Sequence, residues 1–386
     1  MRPMLRTAVV ALLVCAGAGT LHGQASDALY TRWAGYTGFQ FQSYSISGTA
    51  PSKATEWAIP FVMVAPLGDK MSADLTGHYA NAKVSSAGQP DATLNGLTDT
   101  QVRLLYTLNR DRAVASLSVN LPTGKHTLTT QQFGVYGAVG SNYLSFPVSD
   151  FGTAFGVTGG VAFAIPAGTW NVGLSGAVRY TGSYTLFSDS AGAGQGYKPG
   201  VEFRGRVGAD HLVGQKSRFL VGLTASTFSS DELSGPSTGT VVSGKLAPGL
   251  RIIGDAGWAS ALGSSTLTLA VWDYYRVHGT FTDTANAAFQ TPSENILNAE
   301  ARLTFAASPR VSVAPLVSLR NWSVGGQNGG TYVAGGLAAR FALSDQFSAG
   351  VEGRYSSGKA LDQQASPAAL VSFTGASVQV LLQYQH

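Results

Sequence analysis

The chain has 386 residues, of which 12% are charged, 44% are hydrophobic and 48 are glycine. A charge content about half the usual quarter, with glycine well above its usual share of about 7%, excludes a disordered chain, which would be charge-rich and aromatic-poor. The formal net charge of +4 owes part of its size to Arg2 and Arg6 in a leader, and no nucleic-acid binding follows from it.

Residues 1–25 read as a secretory signal peptide: Arg2 and Arg6, an apolar run from Ala8 to Ala18, then small and polar residues through Gly23 and Ala25. Its removal leaves 23 Lys+Arg against 21 acids. The run is too short to span a bilayer as a helix, and no later stretch reaches about 18 uninterrupted apolar residues, which excludes a helical membrane protein. Cys15 is the only cysteine and lies in the leader, so the mature chain carries no disulfide. Val14 before it is not the small residue that lipidation favours.

Residues 26–386 are predicted to form a single all-β domain, an antiparallel transmembrane β-barrel of about 16 strands (14 to 18). The pattern is plainest at 99–124. Val102, Leu104, Tyr106 and Leu108 share one parity, Gln101, Arg103 and Thr107 the other, with Leu105 as the exception. After the charged turn Asn109–Arg112, Ala113, Ala115, Leu117, Val119 and Leu121 alternate with Ser116, Ser118 and Asn120. Strands are expected at 36–46, 54–65, 71–85, 99–108, 113–122, 152–166, 169–184 and 197–212. A second set follows at 217–230, 241–256, 264–278, 291–305, 311–323, 331–343, 346–357 and 370–384. Linkers after even-numbered strands are short and those after odd-numbered ones long, the asymmetry of bacterial barrels with periplasmic turns and extracellular loops. This places the protein in the bacterial outer membrane, with lipids and the barrel-insertion machinery as partners and no nucleic acid. The last strand alternates Val378, Val380, Leu382, Tyr384 as assembly signals do, but ends on His386 rather than Phe or Trp.

Parity also assigns the faces. Arg204 and Arg206 would cost about 2–4 kcal/mol each at the bilayer midplane, so their side of the strand must look inward. By this rule Arg103, Arg179, Arg204, Arg206, Arg218, Arg251, Arg276, Arg302, Arg320, Arg340 and Arg354 line the pore. With them stand Glu56, Asp74, Glu202, Asp210, Asp255, Glu300 and Glu352. Most of these acids should pair with neighbouring arginines in a bracing ladder, and the surplus of arginine implies a mildly positive pore that favours anions. Asp273 shares the parity of Leu267, Leu269 and Val271 and is expected near a rim or after a bulge. The longest loop, 123–150, is the candidate for a constriction. It carries Lys125, His126 and Asp150 beside Phe133, Tyr136, Tyr143 and Phe146, a lining suited to uncharged or aromatic solutes; the alternative is an external loop packed on its own aromatics.

Signals for catalysis are sparse. Gly173-Leu174-Ser175-Gly176-Ala177 lacks the last glycine of a nucleophile elbow and falls within a strand. His78, His126, His211, His278 and His386 show no metal-ligand spacing, and Gly192, Gly194 and Gly196 lack the strand-to-helix setting of a phosphate cradle, so no metal or cofactor is predicted.

Glu56–Lys70 (EWAIPFVMVAPLGDK) and Asp99–Lys125, which opens on Asp-Thr and closes on Leu-Pro-Thr-Gly-Lys, resemble the outer-membrane family linked to phenol meta-pathway degradation, a distant relative of fatty-acid and toluene channels. The resemblance implies uptake of small hydrophobic or aromatic compounds. It departs from the fatty-acid channels in having only about ten residues, rather than a plug, before the first strand. A passive channel for small solutes is the leading expectation. Two alternatives are an outer-membrane hydrolase with a Ser-His pair on its outer face, and a structural or adhesive barrel with a filled lumen.

Overall fold

A computed structural model describes residues 33–47, 52–86, 88–108, 112–188, 192–235, 242–362 and 369–385. The leader, Cys15, most of the 109–112 turn and His386 lie outside them. In chain order the elements are β1 (Ala34–Ile46), β2 (Lys53–Pro66), β3 (Met71–Ser85), β4 (Ala92–Leu97), β5 (Thr100–Leu108), β6 (Ala113–Leu121), β7 (Leu128–Thr129) and helix α1 (Thr130–Val139). Next come β8 (Gly156–Ala167), β9 (Trp170–Thr181), β10 (Tyr184–Ser188), β11 (Gly194–Lys198), β12 (Glu202–Val213), β13 (Ser217–Phe228), β14 (Asp231–Ser234) and β15 (Gly244–Ala247). The chain ends with β16 (Arg251–Leu262), β17 (Ser265–Arg276), β18 (Thr280–Asp283), β19 (Ala288–Gln290), β20 (Glu294–Ser308), β21 (Val311–Val324), β22 (Gln327–Ala342), β23 (Phe347–Asp362) and β24 (Ala369–Gln385).

The wall is a closed antiparallel barrel of sixteen strands, the fourth of them broken into β4 and β5. Along β3 the pairing passes from Tyr79↔Leu97 to Thr76↔Gln101, a one-residue slip at Thr98–Asp99 that breaks the strand. β24 returns to β1, from Ala34↔Gln385 to Ile46↔Phe373, so no edge is left open across the membrane. A second, seven-stranded sheet built from β7, β10, β11, β14, β15, β18 and β19 extends the hairpins at the long-loop end.

Exposure alternates along the wall strands. Met63, Leu117, Phe163, Leu174, Phe203, Leu223, Val317 and Val378 stay 43–51% exposed and form an apolar outer belt. The arginine parity lies on the concave face. Arg302 on β20 reaches Glu352 on β23 although β21 and β22 stand between them, a convergence that only the inside of a closed sheet permits. Asp273 does face outward, two residues from Tyr275 near the loop end of β17, with Asn295 Nδ2 donating to it at 2.7 Å.

Three expectations are corrected. The tenth wall strand runs over Arg251–Leu262 rather than 241–256, because residues 244–247 turn off into the upper sheet. The connection between β21 and β22 is no long loop: the strands run on to Gly325 and Gly326, whose φ of 58° and 77° make a tight turn open to glycine. The segment after β6 is also not irregular throughout, since it contains α1, opened by a capping box between Thr129 and Gln132.

Candidate functional site

The segment between β6 and β8 folds into the barrel and fills one side of it. Small residues on the concave faces of β2 and β3 make the space: Ala54, Ala58, Ala80 and Ala82 are 0–1% exposed, and Val135 and Val139 of α1 join the same buried cluster. Beyond α1 the chain crosses the lumen. Val148 N donates to Glu56 Oε1 at 2.7 Å, Tyr44 OH donates to Leu144 O at 3.0 Å, and Tyr143 OH donates to Lys359 O at 2.6 Å. Arg320 donates through Nη1 to Tyr143 O (3.0 Å) and Ser145 Oγ (2.5 Å), and its guanidinium lies 5.1 Å from the Trp272 ring and 5.5 Å from that of Tyr332.

Both ends of this segment meet at Asp99. Gly124 N donates to Asp99 Oδ1 (3.0 Å), while Asn120 Nδ2 (2.7 Å), Thr153 N (2.7 Å) and Thr153 Oγ1 (2.8 Å) donate to Oδ2. Thr123 Oγ1 accepts from Thr100 N at 2.8 Å, so the Asp-Thr and Thr-Gly-Lys ends of the motif at 99–125 are joined in space. Lys125 N donates to Phe151 O at 2.9 Å where the outgoing and returning chains pass, and a Cβ at Gly124 would collide with that carbonyl.

Arg204 is about half exposed with its guanidinium on Glu202 Oε1 at 2.7 Å, and Arg179, next to Glu202 on β9, is exposed, its side chain hydrogen-bonding none of the described residues. Arg206 reaches over Gly222 to Asp255 at 2.7 Å, and Arg218 pairs with Asp210. Arg251 stacks 5.0 Å from Phe228, Arg276 stands 3.6 Å from Glu294, and Arg340 Nη2 donates to Ser348 Oγ at 3.3 Å. Arg103 is tied to Asp74 at 2.7 Å, and Arg302 and Arg354 share Glu300 and Glu352 in a four-membered network at 2.6–3.2 Å. Pairing therefore engages most of the arginines. Arg179, Arg251, Arg320 and Arg340 have no carboxylate within 4 Å among the described residues, although Arg179 acts on Glu202 and Asp150 at longer range.

Of the loop residues singled out from the sequence, Tyr143 and Phe146 are buried in the filling, 1% and 6% exposed, rather than lining open space. Phe133 and Tyr136 lie towards the mouth. Phe133 lies tilted 4.7 Å from Phe187 and, with Thr130, Leu186, Gln195, Leu233 and Val242, lines an apolar pocket of about 290 Å³ between α1 and the upper sheet. Burial pushes the Tyr136 phenol up to about 12, so it stays neutral at physiological pH. Lys125 is half-buried and His126 exposed. No described histidine hydrogen-bonds a serine; His211 Nδ1 contacts Thr169 O at 3.0 Å and its ring stacks 4.5 Å from Trp170.

Asp99, Arg320 in its clamping role, Glu294 and the alanine bed were not foreseen as site residues. Two signals for them were present: alanines where a charge ladder would put longer side chains, and Thr129-x-x-Gln132 followed by Val135 and Val139 at helical spacing.

A closed sheet with an apolar exterior and an ionic interior defines a transmembrane β-barrel of the bacterial outer membrane. No protein-family model matches the chain, and no curated protein matches it. Among solved structures it is similar in form to a FadL homologue of Pseudomonas aeruginosa (9% identity, 93% of this chain and 92% of that one, TM-score 0.46). It is also similar to the CymD monoaromatic hydrocarbon channel (11% identity, 92% and 88%, TM-score 0.41). A third likeness is to an anion-selective porin of Comamonas acidovorans (13% identity, 92% and 98%, TM-score 0.40).

Proposed function

We propose that the protein is a passive outer-membrane channel for small solutes, whose water path follows the concave face of β9–β17. One contrast carries this reading: Arg204 is half exposed inside the barrel, whereas Ala58 and Ala80 on the opposite concave face are fully covered. Among the described residues no carboxylate lies within 4 Å of the Arg179 or Arg251 guanidinium, and this local surplus of cation favours anions in a confined path. The apolar pocket at Phe133 and Phe187 supports the uptake of small aromatic compounds that the phenol-pathway resemblance implies: its volume exceeds the roughly 150 Å³ that accommodates a benzene ring.

Planar-bilayer recordings test the path. The wild type is expected to show a reversal potential displaced towards the anion in a potassium chloride gradient. Arg179→Glu with Arg204→Glu is expected to move it to the cation side without abolishing conductance. A wild type that prefers cations would exclude the arginine-lined path, and a purified, folded protein that conducts nothing would exclude a channel. Liposome swelling addresses the solute: small aromatics should enter faster than sugars of equal mass, with Phe133→Ala narrowing the difference.

A further inference from the structure

The outward face of the barrel is uneven at the loop end. On β23, β24 and β1, Ser357, Thr374 and Ser45 stand side by side, and one step nearer the rim come Lys359, Ser372 and Ser47. These six line a hollow of about 400 Å³, completed by Ile46, Gly358 and Phe373, where the side chains of Ile46 and Phe373 turn to the inner core. The polar surface continues onto β2 and β3. Lys53 stands opposite Ser45 with the parity of Ile59 and Met63, and Lys83 stands opposite Thr55, whose Oγ1 lies 3.0 Å from Ser43 Oγ.

Charge is distributed just as unevenly. Lys53, Lys83 and Lys359 all lie on the consecutive strands β23, β24, β1, β2 and β3, where the acid beside them is Asp91 next to Lys83, whereas Asp273 lies far around the wall on β17. Lys83 is neutralised by Asp91 at 2.5 Å; Lys53 and Lys359 have no carboxylate partner among the described residues. Three strand spacings and a two-residue offset along the strands separate them, roughly 16 Å. Below the hydroxyl rows the surface turns aromatic: Tyr355 is 61% exposed, and Phe39, Trp57 and Tyr79 form a strip with centroids 6.3 and 5.7 Å apart, the depth at which headgroup gives way to acyl chain.

We infer that this face binds the phosphorylated sugar headgroup of a lipopolysaccharide in the outer leaflet. Two free ammonium groups set well apart match a headgroup with two phosphates better than a lipid with one. The hydroxyl-lined hollow between them offers donors and acceptors to a sugar, and the aromatic strip receives the acyl chains. The inference is independent of the channel reading, because the lysines, hydroxyls and aromatic strip that carry it lie on the outside of the wall.

Native mass spectrometry of the full-length protein, stripped of lipid in detergent, tests it. The probes are bisphosphorylated hexa-acyl lipid A, its dephosphorylated form, phosphatidylglycerol and inorganic phosphate. Lipid A is expected to bind at least tenfold more tightly than each of the others. Lys53→Gln with Lys359→Gln should lower its affinity about tenfold, while Lys216→Gln in a turn at the opposite end should leave it unchanged. Equal binding of phosphatidylglycerol or inorganic phosphate would reduce the patch to a generic cationic rim and overturn the inference, as would full retention of lipid A by the double variant. The comparison of lipids on the wild type needs no variant to fold.

Discussion

Asp99→Ala is expected to raise single-channel conductance severalfold, add current noise, and expose residues 125–150 to protease added from outside. The Asp99 carboxylate accepts four hydrogen bonds that hold both ends of the inward segment. Bonds to a charged group contribute about 1.5–3 kcal/mol each and do not add fully, so a loss of about 3 kcal/mol in anchoring is a fair expectation. That corresponds to roughly a hundredfold more of the released form. Asp99→Asn keeps one acceptor oxygen and should fall between the two. Arg320→Ala removes the clamp on Tyr143 and Ser145 within the segment and should act in the same direction. Unchanged conductance and protease resistance in both alanine variants would show that the alanine bed alone holds the segment in place.

Arg354→Ala should produce the largest loss of stability. Arg354 and Arg302 together neutralise Glu300 and Glu352, with all four side chains only 14–22% exposed. Removing one cation leaves two confined carboxylates on a single guanidinium, at a cost of about 3–5 kcal/mol for a well-buried pair and somewhat less here, where lumen water still reaches the group. The temperature at which the folded electrophoretic band disappears should drop markedly. Adding Glu300→Gln should restore part of the loss, because it removes the uncompensated charge. If the second substitution only deepened the loss, the network would be bracing through packing rather than charge.

The wall was legible in the sequence because a closed membrane sheet imposes a period of two on nearly every strand, and a misplaced arginine is costly enough to fix the register. Val201–Asp210 and Val311–Arg320 show it: Phe203, Val207, Val317 and Leu319 are outside, and Arg206, Ser318 and Arg320 inside. The upper sheet was not legible, since once a strand leaves the bilayer no lipid penalises either face; residues 244–247 fall within an alternating stretch that reads as a wall strand yet pair above it. The filling of the lumen was legible only as one of two readings of 123–150, for a related reason. Parity says which side chains point inward, but not whether water or another segment meets them. Tyr143 and Phe146 therefore read as lining when they are core, and Asp99 read as the start of a strand when it is the point where the loop is fastened.

The most direct measurement is the accessibility of single cysteines to a small sulfonated thiol reagent during bilayer recording, in a protein whose only native cysteine, Cys15, lies in the expected leader. Arg204→Cys should react within seconds and lower the current, while Ala80→Cys, fully covered by the inward segment, should be silent unless Asp99 is also replaced. Rapid block at Ala80→Cys together with silence at Arg204→Cys would place the water path on the other side of the barrel and contradict the account.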